Sequence, residues 1–236
     1  MDWYFITFVL AILAMIMTVI AQMRVKGVYH RYSNTANARG ITGAQAAREL
    51  LDAAGVRDMA IEEIDGVLTD HYDPRAETLR LSKGVYGSTS LSAIGIAAHE
   101  AAHAIQHFEG YAPLMARQNF VRFAGIGSRM SMPIVFIGII IMSLEGMGDF
   151  GWTLVNVGLL LFTAVVVLSL ITLPVELNAS SRAIAMLESG SFLSEQELGP
   201  ARRVLSAAAW TYIASALTAV ITLIRLILIA RGGRRN

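Results

Sequence analysis

Cysteine is absent from the 236 residues of the chain. Disulfide staples, thiolate nucleophiles and cysteine-ligated zinc are therefore excluded, and any bound metal must rest on histidines and carboxylates. Charge is scarce as well, at 16% of residues against about 25% in ordinary soluble domains. The near balance of 19 Lys and Arg against 18 Asp and Glu leaves no basic excess of the kind that nucleic-acid binding needs. A glycine-rich phosphate loop, internal repeats and low-complexity tracts are all missing. Apolar surface, by contrast, is abundant: 55% of residues are hydrophobic and the mean hydropathy is +0.54. A soluble core of this size has no room for that much apolar surface, so the composition predicts insertion into a lipid bilayer.

Four stretches carry that apolar surface: 3–23, 130–145, 151–175 and 205–230. Crossing the hydrocarbon takes about 20 apolar residues. The first stretch is uncharged between Asp2 and Arg24. It lacks a basic start and exceeds the roughly 7 to 15 apolar residues of a signal peptide, so it reads as a retained span rather than a cleaved leader. The second is marginal in length, and a buried soluble helix is its other reading. The turn-rich segment 146–151 joins it to the third as a helical hairpin. Within the fourth, Arg225 is expected to snorkel toward an interface.

Basic residues near the span ends set orientation. Arg24, Lys26, Arg31, Arg39, Arg117, Arg122, Arg129, Arg182, Arg202 and Arg203 fall on one side, and Arg231, Arg234 and Arg235 on the other. Ten against three places the loop 24–129 and the segment 176–203 in the cytoplasm. The basic tail fits four full spans poorly and fits a re-entrant last segment better. The expectation is a mainly α, multi-pass protein of the inner (plasma) membrane with the bilayer as partner: a helical transmembrane bundle bearing a small α+β cytoplasmic subdomain.

Within 24–129 a polar linker leads to a helix with apolar positions at 46, 47, 50, 51 and 54, which stops at Gly55. Strand-like pieces follow at 60–64, 67–72 and 78–81, with Asp73-Pro74 marking a turn between the last two. Residues 90–108 then read as a helix that is apolar nearly all round. On that helix His99-Glu100-Ala101-Ala102-His103 has the form HExxH. Residues four apart differ by about 40° and about 6 Å, so both imidazoles converge on one face and can share a metal ion. Glu100 beside them is placed to take a proton from a metal-bound water rather than to ligate. With five His and eleven Glu in the chain, a chance match has odds of roughly one in two hundred, so the motif outweighs a solvated helix face.

A catalytic zinc takes three protein ligands and leaves one position for water. His107 lies about 12 Å from His99 along the helix axis, too far to join the same ligand set. The positions three and six residues past His103 are Gln106 and Glu109, not the Gly and His of a metzincin. Glu176 is the candidate third ligand, in the run Pro174-Val175-Glu176-Leu177-Asn178-Ala179-Ser180 at the end of the third span. Pro174 there suits a helix start or kink. An interfacial glutamate that only marks the span end is the alternative. Ser180 shares the helix face of Glu176 and can support a ligand.

Together the runs 68–75 (LTDHYDPR), 97–106 (AAHEAAHAIQ) and 174–180 (PVELNAS) resemble the bacterial YugP-like family of neutral zinc metallopeptidases of the membrane, with a likeness spanning nearly the whole chain. The resemblance implies a membrane-embedded protease of gluzincin type with a zincin-like subdomain, distantly similar to the HtpX and CAAX-prenyl proteases. It implies one Zn2+ on His99, His103 and Glu176, Glu100 as general base, and protein or peptide substrates. In that wider group the third-ligand helix resembles Glu-x-x-Ala-Asp. Here it reads Glu176-x-x-Ala179-Ser180, so the supporting carboxylate is absent or replaced by Ser180 or Asn178.

The reaction expected is peptide hydrolysis, with the strand around 78–81 pairing with an extended substrate. His71 and Arg182 are candidates for transition-state support. Two other readings compete. Intramembrane cleavage of the site-2 type requires the HExxH helix to lie at bilayer depth, which the polar, strand-bearing residues before it oppose. A non-catalytic membrane scaffold would use the metal for structure, filling the fourth position with a further protein ligand.

Overall fold

The computed structural model describes residues 3–233. Asp2, Arg234 and Arg235, which entered the span and charge expectations, lie outside the described residues. Among the described residues, four helices are long and apolar enough to cross a membrane: α1 (Trp3–Tyr32), α5 (Ala112–Met142), α6 (Gly148–Ser189) and α7 (Glu195–Gly233). Between α1 and α5 come α2 (Gly43–Ala53), β1 (Ala60–Ile64), β2 (His71–Asp73), β3 (Thr78–Ser82), α3 (Lys83–Tyr86) and α4 (Leu91–Phe108).

Each long helix outruns the apolar stretch that announced it. α1 continues past Arg24, Lys26 and Arg31, and α5 begins 18 residues before Met130 and includes Arg117, Arg122 and Arg129. Arginine and lysine interrupt hydropathy without opposing helix formation, so the end of a span is not the end of its helix. Pro174 neither starts nor breaks α6. Proline removes one backbone donor, and a long helix with flanking contacts absorbs that loss.

The chain divides into two compact units. Of the described residues, the first comprises 3–20, Ala116–Leu173 and 212–233. Its large apolar side chains face outward: Leu160 is 72% exposed and Phe136 66%. Such a surface is stable only under lipid, and the stretch around Phe136 is therefore not a buried soluble helix. Small residues fill the inside. A Cβ at Gly158 would stand 2.5 Å from Val135 Cγ2 and 2.9 Å from the Ser131 carbonyl oxygen, a closeness of α5 and α6 that only glycine allows. The Thr18 and Thr218 hydroxyls, 3.1 Å apart, join α1 to α7. The Arg225 guanidinium lies 5.0 Å from the Phe8 ring centroid, stacked on an aromatic within the helical part of the unit.

The second unit comprises Ala21–Met115 and Pro174–Thr211. α2 starts on a capping box in which the Thr42 hydroxyl accepts from the Gln45 N–H and the Gln45 side chain accepts from the Thr42 N–H. It ends before Gly55, whose φ of +81° is the left-handed conformation that favours glycine after a helix. The strands form a sheet of order β1-β3-β2, with β1 parallel and β2 antiparallel to β3. The Asp73 carboxylate accepts from the backbone N–H groups of Arg75 and Ala76, which turns the chain from β2 into β3. β3 is thus central and both its edges are occupied. The expected pairing of this strand with a substrate is corrected accordingly, since β1 and β2 already pair with it on either side.

The core of this unit joins Leu50 and Leu51 of α2, Leu79 and Leu81 of β3, and Ala97, Ala98, Ala101 and Ala102 of α4. Ala179, Ala183 and Leu187 of α6 and Ala201 of α7 complete it. The alanine-rich character of α4 has a packing cause: with no long side chains, neighbours approach it on every side. That is what encloses the polar side chains it carries.

Candidate metal centre

α4 begins at Ser90, whose hydroxyl accepts from the Ala93 N–H. Two turns further on, His99 and His103 project together with ring centroids 4.7 Å apart and planes at 84°. Glu176 of α6 meets them. Its Oε2 lies 3.2 Å from His99 Nε2 and 3.4 Å from His103 Nε2. All three side chains are buried, Glu176 to 2% exposure. Their ligand atoms lie within 4.8 Å of one another, close enough to hold one metal ion.

The separations can be compared with those of a ligand set. A charged N–H···O hydrogen bond settles at about 2.7–2.9 Å. Zinc bonds of about 2.0–2.1 Å in a tetrahedron place neighbouring donors about 3.3–3.4 Å apart. The observed 3.2 and 3.4 Å, both to Glu176 Oε2, are compatible with two edges of such a tetrahedron. Two imidazoles and a carboxylate are also a donor set that zinc takes. The residues present therefore fit the ion.

Around the cluster, the Ser180 hydroxyl lies 3.3 Å from His99 Nδ1. His103 Nδ1 lies 3.0 Å from Gln106 Oε1. Burial opposes charging of the His103 imidazole. The hydrogen bond to Glu176, the Glu100 and Glu176 charges and the Gln106 contact outweigh that and raise its pKa. Glu100 itself does not join the three-donor cluster, and its Oε2 accepts from the Tyr72 N–H at 3.1 Å. The Tyr72 hydroxyl lies 2.7 Å from His107 Nδ1, so His107 serves as a hydrogen-bonding partner one turn past the cluster. A cleft of about 440 Å3 opens beside Tyr72 and His107, lined also by Met59, Glu77 and Phe108.

The remaining sequence candidates fall outside the cluster. His71 is exposed, with its Nδ1 2.8 Å from the Thr69 carbonyl oxygen. Asn178 Oδ1 accepts from Gln106 Nε2 and from Arg182 Nε, each at 2.8 Å. Arg182 also pairs with Glu109. Sequence reasoning passed over Gln106 and Tyr72. Gln106 was findable, since it sits three residues past His103 on the same helix face. Tyr72 reaches Glu100 from a strand 28 positions earlier, and no local pattern carries that information.

Four apolar helices of membrane-crossing length and a buried cluster of two histidines and one glutamate define a class, a membrane protein with a site fit for a divalent metal. Within that class the chain belongs to the family described as "Putative neutral zinc metallopeptidase", which matches residues 7–231. A relative from Bacillus subtilis (strain 168), "Putative membrane protease YugP", is 42% identical over 214 residues, 91% of this chain and 92% of its own length. No solved structure matches the chain.

Proposed function

We propose that the protein is a zinc-dependent membrane endopeptidase that hydrolyses peptide bonds of protein substrates. His99, His103 and Glu176 hold one zinc ion, and Glu100 is the general base. The observation that carries this reading is the meeting of three buried donors, from α4 and α6, within 4.8 Å of one another. When bound, zinc supplies Lewis acidity, which polarises the scissile carbonyl and acidifies a water. Glu100 takes the proton from the attacking water and delivers it to the leaving amine. The Tyr72 N–H holds the Glu100 carboxylate in place before substrate arrives. The cleft beside Tyr72 and His107 receives a substrate side chain.

The cluster gathers three donors among the described residues. That favours an open catalytic site over a structural one, which uses four protein ligands. The excess of basic residues flanking 24–129 and 176–203 supports a site facing the cytoplasm at the inner membrane. The test is Glu100→Gln in the purified full-length protein. Zinc content stays at one per chain, and cleavage of an unfolded model protein falls by about 10²- to 10⁴-fold. Undiminished cleavage refutes the general-base role.

A further inference from the structure

Gln106 is fully buried on α4, and the chemistry proposed for the site does not use it. Its amide is oriented by its neighbours. Nε2 lies 3.0 Å from the Val175 carbonyl oxygen and 2.8 Å from Asn178 Oδ1. A backbone carbonyl only accepts, so this atom must be the NH2 and cannot be the oxygen. The atom 3.0 Å from His103 Nδ1 is then the amide oxygen, which also only accepts. His103 therefore carries a proton on Nδ1, and whenever the ring is neutral the bare nitrogen is Nε2, the one that faces Glu176.

His99 has no such lock. Its Nδ1 meets the Ser180 hydroxyl, which can donate or accept and so permits either tautomer. Gln106 also ties two helices together. Through Asn178 and Arg182 its bonds continue to Glu109, at the end of α4. The network thus leaves α4, crosses α6 beside Glu176, and returns to α4.

We propose that Gln106 is a positioning residue of the metal centre: it fixes the His103 tautomer and pins α4 to α6, so that donors from both helices stay aligned on one ion. The inference rests on the metal-site reading above and adds a neutral amide where a carboxylate more often orients a ligating imidazole.

The test uses the full-length protein in detergent micelles, with zinc alone as the probe and a chromophoric chelator as competitor. Gln106→Met keeps the side chain's length but offers Nδ1 no acceptor, and zinc binding weakens about 10- to 100-fold. Gln106→Glu returns an acceptor to Nδ1 but turns an oxygen toward the Val175 carbonyl, so it restores the tautomer without the tie to α6 and recovers only part of that loss. The metal-free protein with 15N-labelled histidine, at a pH where the imidazoles are neutral, shows His103 protonated on Nδ1 in the wild type and as mixed tautomers in Gln106→Met.

Wild-type zinc affinity in Gln106→Met overturns the proposal, even if that variant melts earlier. Should Gln106→Met not fold, the wild-type spectrum still decides, because an Nε2-protonated His103 overturns it equally. A wild type that binds no zinc, or one whose affinity survives His99→Ala, removes the metal-site reading itself. Binding lost in His99→Ala but unchanged in Gln106→Met removes only the role of Gln106.

Discussion

Glu176 stands with its Oε2 3.2 Å from Nε2 of His99, a residue 77 positions earlier in the chain. Both groups are buried. Burying a carboxylate and two imidazoles is unfavourable unless they are paired or hold a metal, and the predictions for zinc, protons and substitution therefore centre on this cluster.

The Tyr72 N–H is the group that holds Glu100. Because that N–H is engaged by Glu100 rather than by β3, Tyr72→Pro removes the contact without removing a ladder hydrogen bond. We expect kcat to fall about tenfold with zinc content unchanged, as befits a misplaced general base. Tyr72→Phe keeps the N–H and loses only the contact to His107, so its kcat stays near wild type. Parallel kinetics of the two variants check this, and equal loss in both contradicts it.

Protons compete for the same site. The raised pKa of His103 means that, in the metal-free protein, this group contributes stability below its ordinary value of 6.5 and loses it as pH rises through the raised value. Melting of chelator-treated protein against His103→Gln, from about pH 6 to about pH 9, should show the advantage of the wild type shrinking as pH rises. With zinc added the sign reverses, because protonation removes the ligand lone pair. Wild type and variant that melt in parallel across this range contradict the account.

Ser180 touches His99 at 3.3 Å, longer than the Gln106 contact to His103 and free to donate or accept. Ser180→Ala should therefore weaken zinc binding by less than about tenfold, and by less than Gln106→Met does. Chelator competition on both variants orders them. The reverse order would assign the main support of the ligands to α6 instead of α4.

In the first unit, Gly158 allows α5 and α6 to touch. Ala is a better helix former by about 1 kcal/mol. At this position, however, its Cβ meets Val135 and the Ser131 carbonyl at 2.5 and 2.9 Å. Gly158→Ala should destabilise the protein by about 1–3 kcal/mol, because overpacking outweighs propensity. Thermal unfolding in detergent reads this, and a variant that melts higher would mean the helices are free to separate.

Much of this architecture was legible in the sequence because the signals were local. The helical spacing of His99 and His103, the stop at Gly55, the Asp73-Pro74 turn and the strand at Ala60–Ile64 each follow from a few adjacent residues. Helix ends beyond the apolar stretches were not legible, since Arg117 and Arg122 lower hydropathy while remaining good helix formers. Sheet order was hidden too. Nothing in residues 78–82 states that β1 and β2 flank them on both sides, and the expectation of a substrate partner there failed for that reason. Glu176 could be nominated by its place at the end of a span, but its meeting with α4 is a tertiary fact. The lock on His103 depends on an amide reaching the Val175 carbonyl from 69 residues away, and composition carries no trace of it.

The most direct measurement is X-ray absorption at the zinc edge on the purified full-length protein and on Glu176→Ala. The account predicts one zinc per chain bound by two imidazole nitrogens and a carboxylate oxygen at about 2.0–2.2 Å, and loss of that signal in the variant. A full zinc complement in Glu176→Ala, with the same ligand shell as the wild type, would contradict it.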